Sequence, residues 1–321
     1  MKKSKKIALI VATILVAVGL AVFFGAVAAM GFDFTKLNTV SLQTSTYEIE
    51  DAFHHIAIDE VGCDVNLYLS DDGTCKVICR DSEYITYTVH VNEDTLHIKQ
   101  EDSRKWYQQI NLSLGKSETA EIRIYLPESS YQSLDAALQS GDIVVPEAFC
   151  FESAKLRSSS GNIEIRALVN QSLDVKATSG DIWIANASPA DLTAQSSSGD
   201  ITLEAVNAED NIRVDATSGD LYLSNVHAQA ISASTTSGEI ELADVLADES
   251  IRIESSSGDV ALQRCDAEAL HIQTSSGDVS GTLLTEKVFR TDTASGDVDV
   301  PQSTSGGKCE IQTTSGDIVF R

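Results

Sequence analysis

Ser179-Gly180-Asp181-Ile182-Trp183-Ile184 returns nineteen residues later as Ser198-Gly199-Asp200-Ile201-Thr202-Leu203, and twenty after that as Ser218-Gly219-Asp220-Leu221-Tyr222-Leu223. The same Ser-Gly-acid text occurs ten times, on Gly141, Gly161, Gly180, Gly199, Gly219, Gly238, Gly258, Gly277, Gly296 and Gly316, always in steps of 19 or 20. The position after the glycine is acidic in every copy except Asn162. A fixed period of this size marks a solenoid in which each repeat is one coil of a stack.

Around each glycine the chain alternates with period two, as strands with one buried face do. Two residues after it stands a branched aliphatic in every copy, from Ile143 to Ile318. Four after it the run is mostly aliphatic, broken at Gly281 and ending in Phe320. Five and seven residues before it come apolar pairs such as Leu173/Val175 and Ile251/Ile253. Each coil therefore reads strand, Ser-Gly-acid corner, strand, second corner. The offsets from the glycine are fixed, so the second corner must absorb the change between 19 and 20. Glycine suits a tight corner through its access to positive φ. The expected fold is all-β: a single-chain β-solenoid of about ten 19–20-residue coils, stacked over roughly 45–50 Å at about 4.8 Å per coil.

The rest of the chain divides around that repeat. Residues 1–6 carry four lysines, and Ile7 to Met30 holds no charge over 24 residues. A bilayer crossing needs about 20 apolar residues, and lysines at its start favour a cytoplasmic N-terminus. Residues 1–6 are thus read as a cytoplasmic tail and 7–31 as a transmembrane anchor, single-pass in the cell membrane. The alternative is a cleaved signal peptide ending near Ala26-Val27-Ala28, although the apolar run exceeds the usual 7–15 residues. Residues 32–130 form an irregular β-rich region, with alternation in Val65-Asn66-Leu67-Tyr68-Leu69 and Ile122-Arg123-Ile124-Tyr125-Leu126. This segment is either a small sheet domain or early coils capping the repeat of 131–321, and continuous stacking is the favoured reading. The chain ends at Phe320-Arg321 directly after a strand, which suggests an exposed last coil and end-to-end self-association.

Composition narrows the function classes. Net charge is −25, and residues 131–321 hold 30 acids against 11 Lys or Arg. Nucleic acids and anionic lipids bind through Lys and Arg, so such a surface repels them. The six cysteines form neither a metal cassette nor a disulfide-dense pattern. Cys265 and Cys309 read as small buried hydrophobes, with a Cys75–Cys79 bridge the alternative for that pair. Six scattered histidines, and the lack of a nucleophile elbow or phosphate loop, argue against an enzyme. No catalytic residue and no cofactor are expected. Trp183, Tyr222 and Trp106-Tyr107 are the aromatics that could meet a glycan, although single exposed aromatics are ordinary.

The acids after the glycines would form a column with neighbours about 5 Å apart, each step repelling by about 0.9 kcal/mol in bulk water. Turn-capping carboxylates splayed into solvent are one resolution. A Ca²⁺ ladder on Asp181, Asp200, Asp220, Asp259, Asp278 and Asp297 is the other.

A lysine-flanked anchor and an irregular β region precede Ile124-Tyr125-Leu126-Pro127, Tyr131, Leu134 and Ser140-Gly141-Asp142-Ile143. In this order they resemble the bacterial putative-adhesin β-strand-repeat family, a domain of unknown function common in Gram-positive bacteria. The resemblance covers about residues 40–321. It implies a non-enzymatic β-solenoid ectodomain at the cell surface that binds or scaffolds a surface polymer or protein. Some relatives lie among envelope-stress genes, which implies as alternative an accessory that contacts a membrane regulator.

Overall fold

The computed structural model describes residues 3–29, 43–82, 84–104 and 121–321. Among them are one helix, Lys3–Ala29, and 25 strands joined in one wound sheet. Pre-glycine strands stack on one face and post-glycine strands on the other. Coil follows coil in parallel register: Ile163, Ile182, Ile201, Leu221, Ile240 and Val260 align in one column. Those six side chains are at most 1% exposed, because alternation points them between the faces. The register shifts at Phe151–Ser153, Ala228–Ala230 and Leu262–Cys265 all lie at the second corner, away from the glycines.

Both ends depart from chain order. At the C-terminal end, Ala269–Ser276 pairs not with the next strand of its face, Lys287–Ser295, but with the later Gly307–Ser315. Lys287–Ser295 stacks outside it. On the other face Ile318–Phe320 likewise lies between Val279–Leu283 and Val298–Asp299. The expectation of an exposed last coil at Phe320 is therefore corrected: Phe320 is buried, and the outermost rung is the one carrying Gly296. Gly281 explains part of the threading. Phe320 fills the space that a side chain there would take, and a Cβ on Gly281 would lie 2.9 Å from its ring.

The N-terminal end is threaded in the same sense. His55–Val61 and Asp64–Leu69 make a rung that the later Ser130–Leu138 and Ile143–Val145 cover on the inner side. Thr95–Asp102 and Glu121–Leu126 cover it on the outer side. Antiparallel strands then close the stack: Ile85–Asn92 on one face, Cys75–Asp81 and Gln43–Ile49 on the other. Switching to antiparallel hairpins interrupts the parallel template that an open solenoid end presents. Gln100, 8% exposed, turns inward there and accepts the Gly62 amide at 2.7 Å.

The helix stands apart in character. Ile14, Leu15, Val16, Val22 and Phe24 are all more than half exposed. Among the described residues no helix is long and apolar enough to cross a membrane.

Candidate functional site

The Ser-Gly-acid corner is built by contact between coils. A Cβ placed on Gly219, Gly238, Gly258 or Gly277 would fall well inside 3.0 Å of the carbonyl oxygen of the glycine one coil below. None of these four has a left-handed φ. Close backbone approach demands glycine throughout this column, and Gly141, Gly161, Gly180, Gly199 and Gly296 add a φ between 107° and 157° that favours glycine as well. The turn argument fits the second corner better, where Asn186, Ala205, Asn225, Asp244 and Arg264 all have φ between 53° and 59°.

The acids follow directly from that stacking. Oδ1 of the aspartates accepts the backbone N–H of the residue one coil further along, in two runs that meet at Glu239, which donates to Asp220. Asp181 accepts from Asp200 at 2.9 Å, Asp200 from Asp220 at 2.8 Å and Asp220 from Glu239 at 2.7 Å. Asp259 accepts from Asp278, Asp278 from Asp317 and Asp317 from Asp297, each at 2.8 Å. The run starts at Asp64, which accepts from Asp142, and Asn162 takes part through its amide oxygen. An acceptor one methylene from the backbone is what the ladder requires, and charge is incidental to it. Among the described residues no three of His, Cys, Asp and Glu group to hold a metal ion. The Ca²⁺ candidates thus stand in single file: Asp181, Asp200, Asp220, Asp259 and Asp278 each have one oxygen on an amide, and Asp297, in the outermost rung, donates its own amide to Asp317.

A second hydroxyl column was not legible in the repeat. Three residues before the glycine, Ser158, Ser196 and Thr235 donate to the glycine carbonyls of the preceding coils at 3.1, 3.2 and 3.1 Å. These side chains are buried, whereas the serine beside each glycine is exposed.

Outward side chains fall in columns along both faces. Arg166 sits over the Trp183 ring, 4.4 Å from its centroid, and Tyr68 stacks on Tyr125 at 5.2 Å. Tyr222 donates to Asp220 Oδ2 at 3.1 Å, and burial together with this bond raises its pKa. Trp106 and Tyr107 lie outside the described residues. Asp215 feels burial first, which alone would raise its pKa. Bonds from Ser234, Gln195 and Arg213 outweigh that and hold it below the usual carboxylate value.

Cys63, Cys75, Cys79, Cys265 and Cys309 are buried thiols. Burial pushes Cys63 and Cys75 up to about 11 and Cys309 up to about 12. Cys75 and Cys79 lie on one strand four residues apart, about 13 Å at strand rise, which rules out a bridge between them.

One shallow pocket, about 410 Å³, opens at the second corner among His227, Asp248, Asp266, Glu268 and Lys287. Its chemistry is internal. Lys287, 4% exposed, reaches across Gly307 to pair with Asp266 and donates to Thr285 at 2.7 Å. The pair pins the outermost C-terminal rung across the strand threaded beneath it.

Fold and corner together define a parallel β-solenoid with hydrogen-bonded acid and hydroxyl columns and antiparallel closure at its start. Solved structures are similar to it in overall fold. A putative adhesin of Parabacteroides distasonis aligns over 88% of this chain and 98% of its own, at 12% identity and a TM-score of 0.51. A putative adhesin of Parabacteroides merdae aligns over 76% and 97%, at 14% and 0.50. No curated protein matches the chain. The Toastrack DUF4097 family model matches residues 53–209 and 187–320, and the chain belongs to that family.

Proposed function

We propose that this protein is a membrane-anchored, extracytoplasmic β-solenoid whose long faces bind or scaffold a cell-surface polymer or protein, without catalysis. The observation that carries the reading is the regular outward surface. Coil after coil in register presents side chains at about 4.8 Å intervals on two faces. Such a surface suits an extended, repetitive partner better than a small substrate. Polar side chains that could have formed a reactive cluster are instead spent on the amides and carbonyls of the next coil.

The anchor rests on Lys2, Lys3, Lys5 and Lys6 before 24 uncharged residues, and on the exposed apolar side chains of the helix they open. The similarity to structures described as putative adhesins supports the surface role at the level of fold. The test is binding of purified residues 33–321 to a panel of cell-wall glycans, host glycans and matrix proteins. Retention above that of a charge-matched acidic protein is expected for at least one of them. No retention above that control would refute the reading.

A further inference from the structure

From the hairpin that closes the N-terminal end we infer a transition-metal site formed by His90 and His97. The two residues stand directly opposite each other on the antiparallel strands Ile85–Asn92 and Thr95–Asp102. Their rings stack with centroids 5.4 Å apart and an interplanar angle of 23°. His90 is exposed and His97 half-buried, so the pair can be reached from solvent. Directly opposed side chains have Cβ atoms about 4.5–5.5 Å apart, and the backbone register fixes that spacing.

The separation suits a shared ion. With a metal–nitrogen distance of about 2.0–2.1 Å, each ring centre lies about 3.2 Å from the metal, and a tetrahedral angle then puts the centres about 5 Å apart. The rings need only turn about χ2 to aim one nitrogen each at a common point, with water completing the coordination.

The neighbourhood favours imidazole ligation. Ala57 faces His97 from the other side and leaves room beside it. Thr88 and Asn92 flank His90, and Thr95 and Lys99 flank His97. Lys99 stands opposite Asp59 in the register, which offsets its charge near the site. His54 is engaged by Asp94 at 2.8 Å and His55 by Ser133 at 2.8 Å, so neither shares this arrangement. Two imidazoles select borderline divalent ions such as Cu²⁺, Ni²⁺ and Zn²⁺, whereas Ca²⁺ takes oxygen ligands. Bound there, an ion would clamp the edge strand Ile85–Asn92 to its neighbour.

The experiment uses the full-length protein in detergent, without a histidine tag, and measures melting temperature and Cu²⁺ electron paramagnetic resonance. Zn²⁺ and Ni²⁺ at saturation are expected to raise the melting temperature, and Ca²⁺ to leave it unchanged. The Cu²⁺ spectrum is expected to show two nitrogen ligands at one equivalent. His90→Gln and His97→Gln should each weaken metal affinity about tenfold or more while melting normally without metal, since both side chains lie on the outer surface. His54→Gln and His55→Gln should bind as the wild type does. A wild type indifferent to all three transition metals overturns the inference. So does binding that survives in the His90→Gln/His97→Gln double variant.

Discussion

At the scale of single residues, the repeated text has two structural roles that are easily confused. Gly219 lacks a left-handed φ but has a carbonyl where its Cβ would be, while Gly73 has φ 71° and open space around it. Gly219→Ala should therefore destabilise by about 3 kcal/mol, the upper range for overpacking, because backbone on a neighbouring coil cannot yield. Gly73→Ala should lose only about 1 kcal/mol through its conformation. Chemical denaturation of both variants separates the two effects.

In the acid column, Asn162 shows that an amide oxygen serves as well as a carboxylate. Asp200→Asn should be nearly neutral and Asp200→Ala should lose about 1 kcal/mol, the worth of a cap-type bond to a backbone amide. Equal losses in the two variants would mean that charge, and not the acceptor, matters. The glycine and acid positions were legible in the sequence because both are periodic and chemically distinctive. Their partners were not, since a bond to the next coil's amide depends on register, which no single coil contains. The hydroxyls of Ser158, Ser196 and Thr235 were not legible for a further reason: the same column also holds Leu138, Ala177 and Ala216.

At the scale of elements, alternation placed the strands, but not their order at the ends. A period of 19 or 20 specifies what each coil is, and every coil is compatible with every other. Nothing local distinguishes the Gly296 coil as outermost except its content. Thr291 and Thr293 stand at inward positions, and Val298 is 44% exposed. These tolerate an end, whereas Ile311 and Ile318 are fully buried.

The threaded order can be tested by ending the chain after Ser305. A simple stack would lose its last coil and keep Lys287–Ser295 paired. The threaded stack loses the strand on which Lys287–Ser295 rests, so the amides of 287–299 should exchange hydrogen at unfolded rates; continued protection would contradict it. Removing the pin is also informative. Asp266→Ala leaves the Lys287 ammonium buried without its carboxylate and should destabilise by about 3 kcal/mol. Lys287→Met, which keeps the alkyl packing over Gly307, should lose less.

At the scale of the whole molecule, stability comes from one continuous apolar interior, so its pH limits follow from what is buried there. Cys63, Cys75 and Cys309 keep their protons in the folded state up to about 11, 11 and 12, against an ordinary value of 9.0. Below pH 9 both states hold these protons, and the thiols add no pH dependence. Between pH 9 and about 12 only the unfolded chain releases them, so it binds fewer protons and stability falls as pH rises. Alkaline unfolding over that window, reduced in Cys309→Ala relative to its own neutral-pH stability, is the expected outcome of denaturation curves taken at successive pH values.

The acidic surface, the uncharged N-terminal run and the regular faces were all legible in the sequence. The ligand was not, because a periodic surface carries little text that singles out one partner. The proposed arrangement, a solenoid held outside the membrane by its N-terminal segment, is tested most directly by labelling intact cells. A cysteine at the exposed Ser305, in a Cys150→Ser background, should react with a membrane-impermeant maleimide equally before and after lysis. A cysteine at Ser4 should react only after lysis. Protection of the Ser305→Cys site in intact cells would contradict the account.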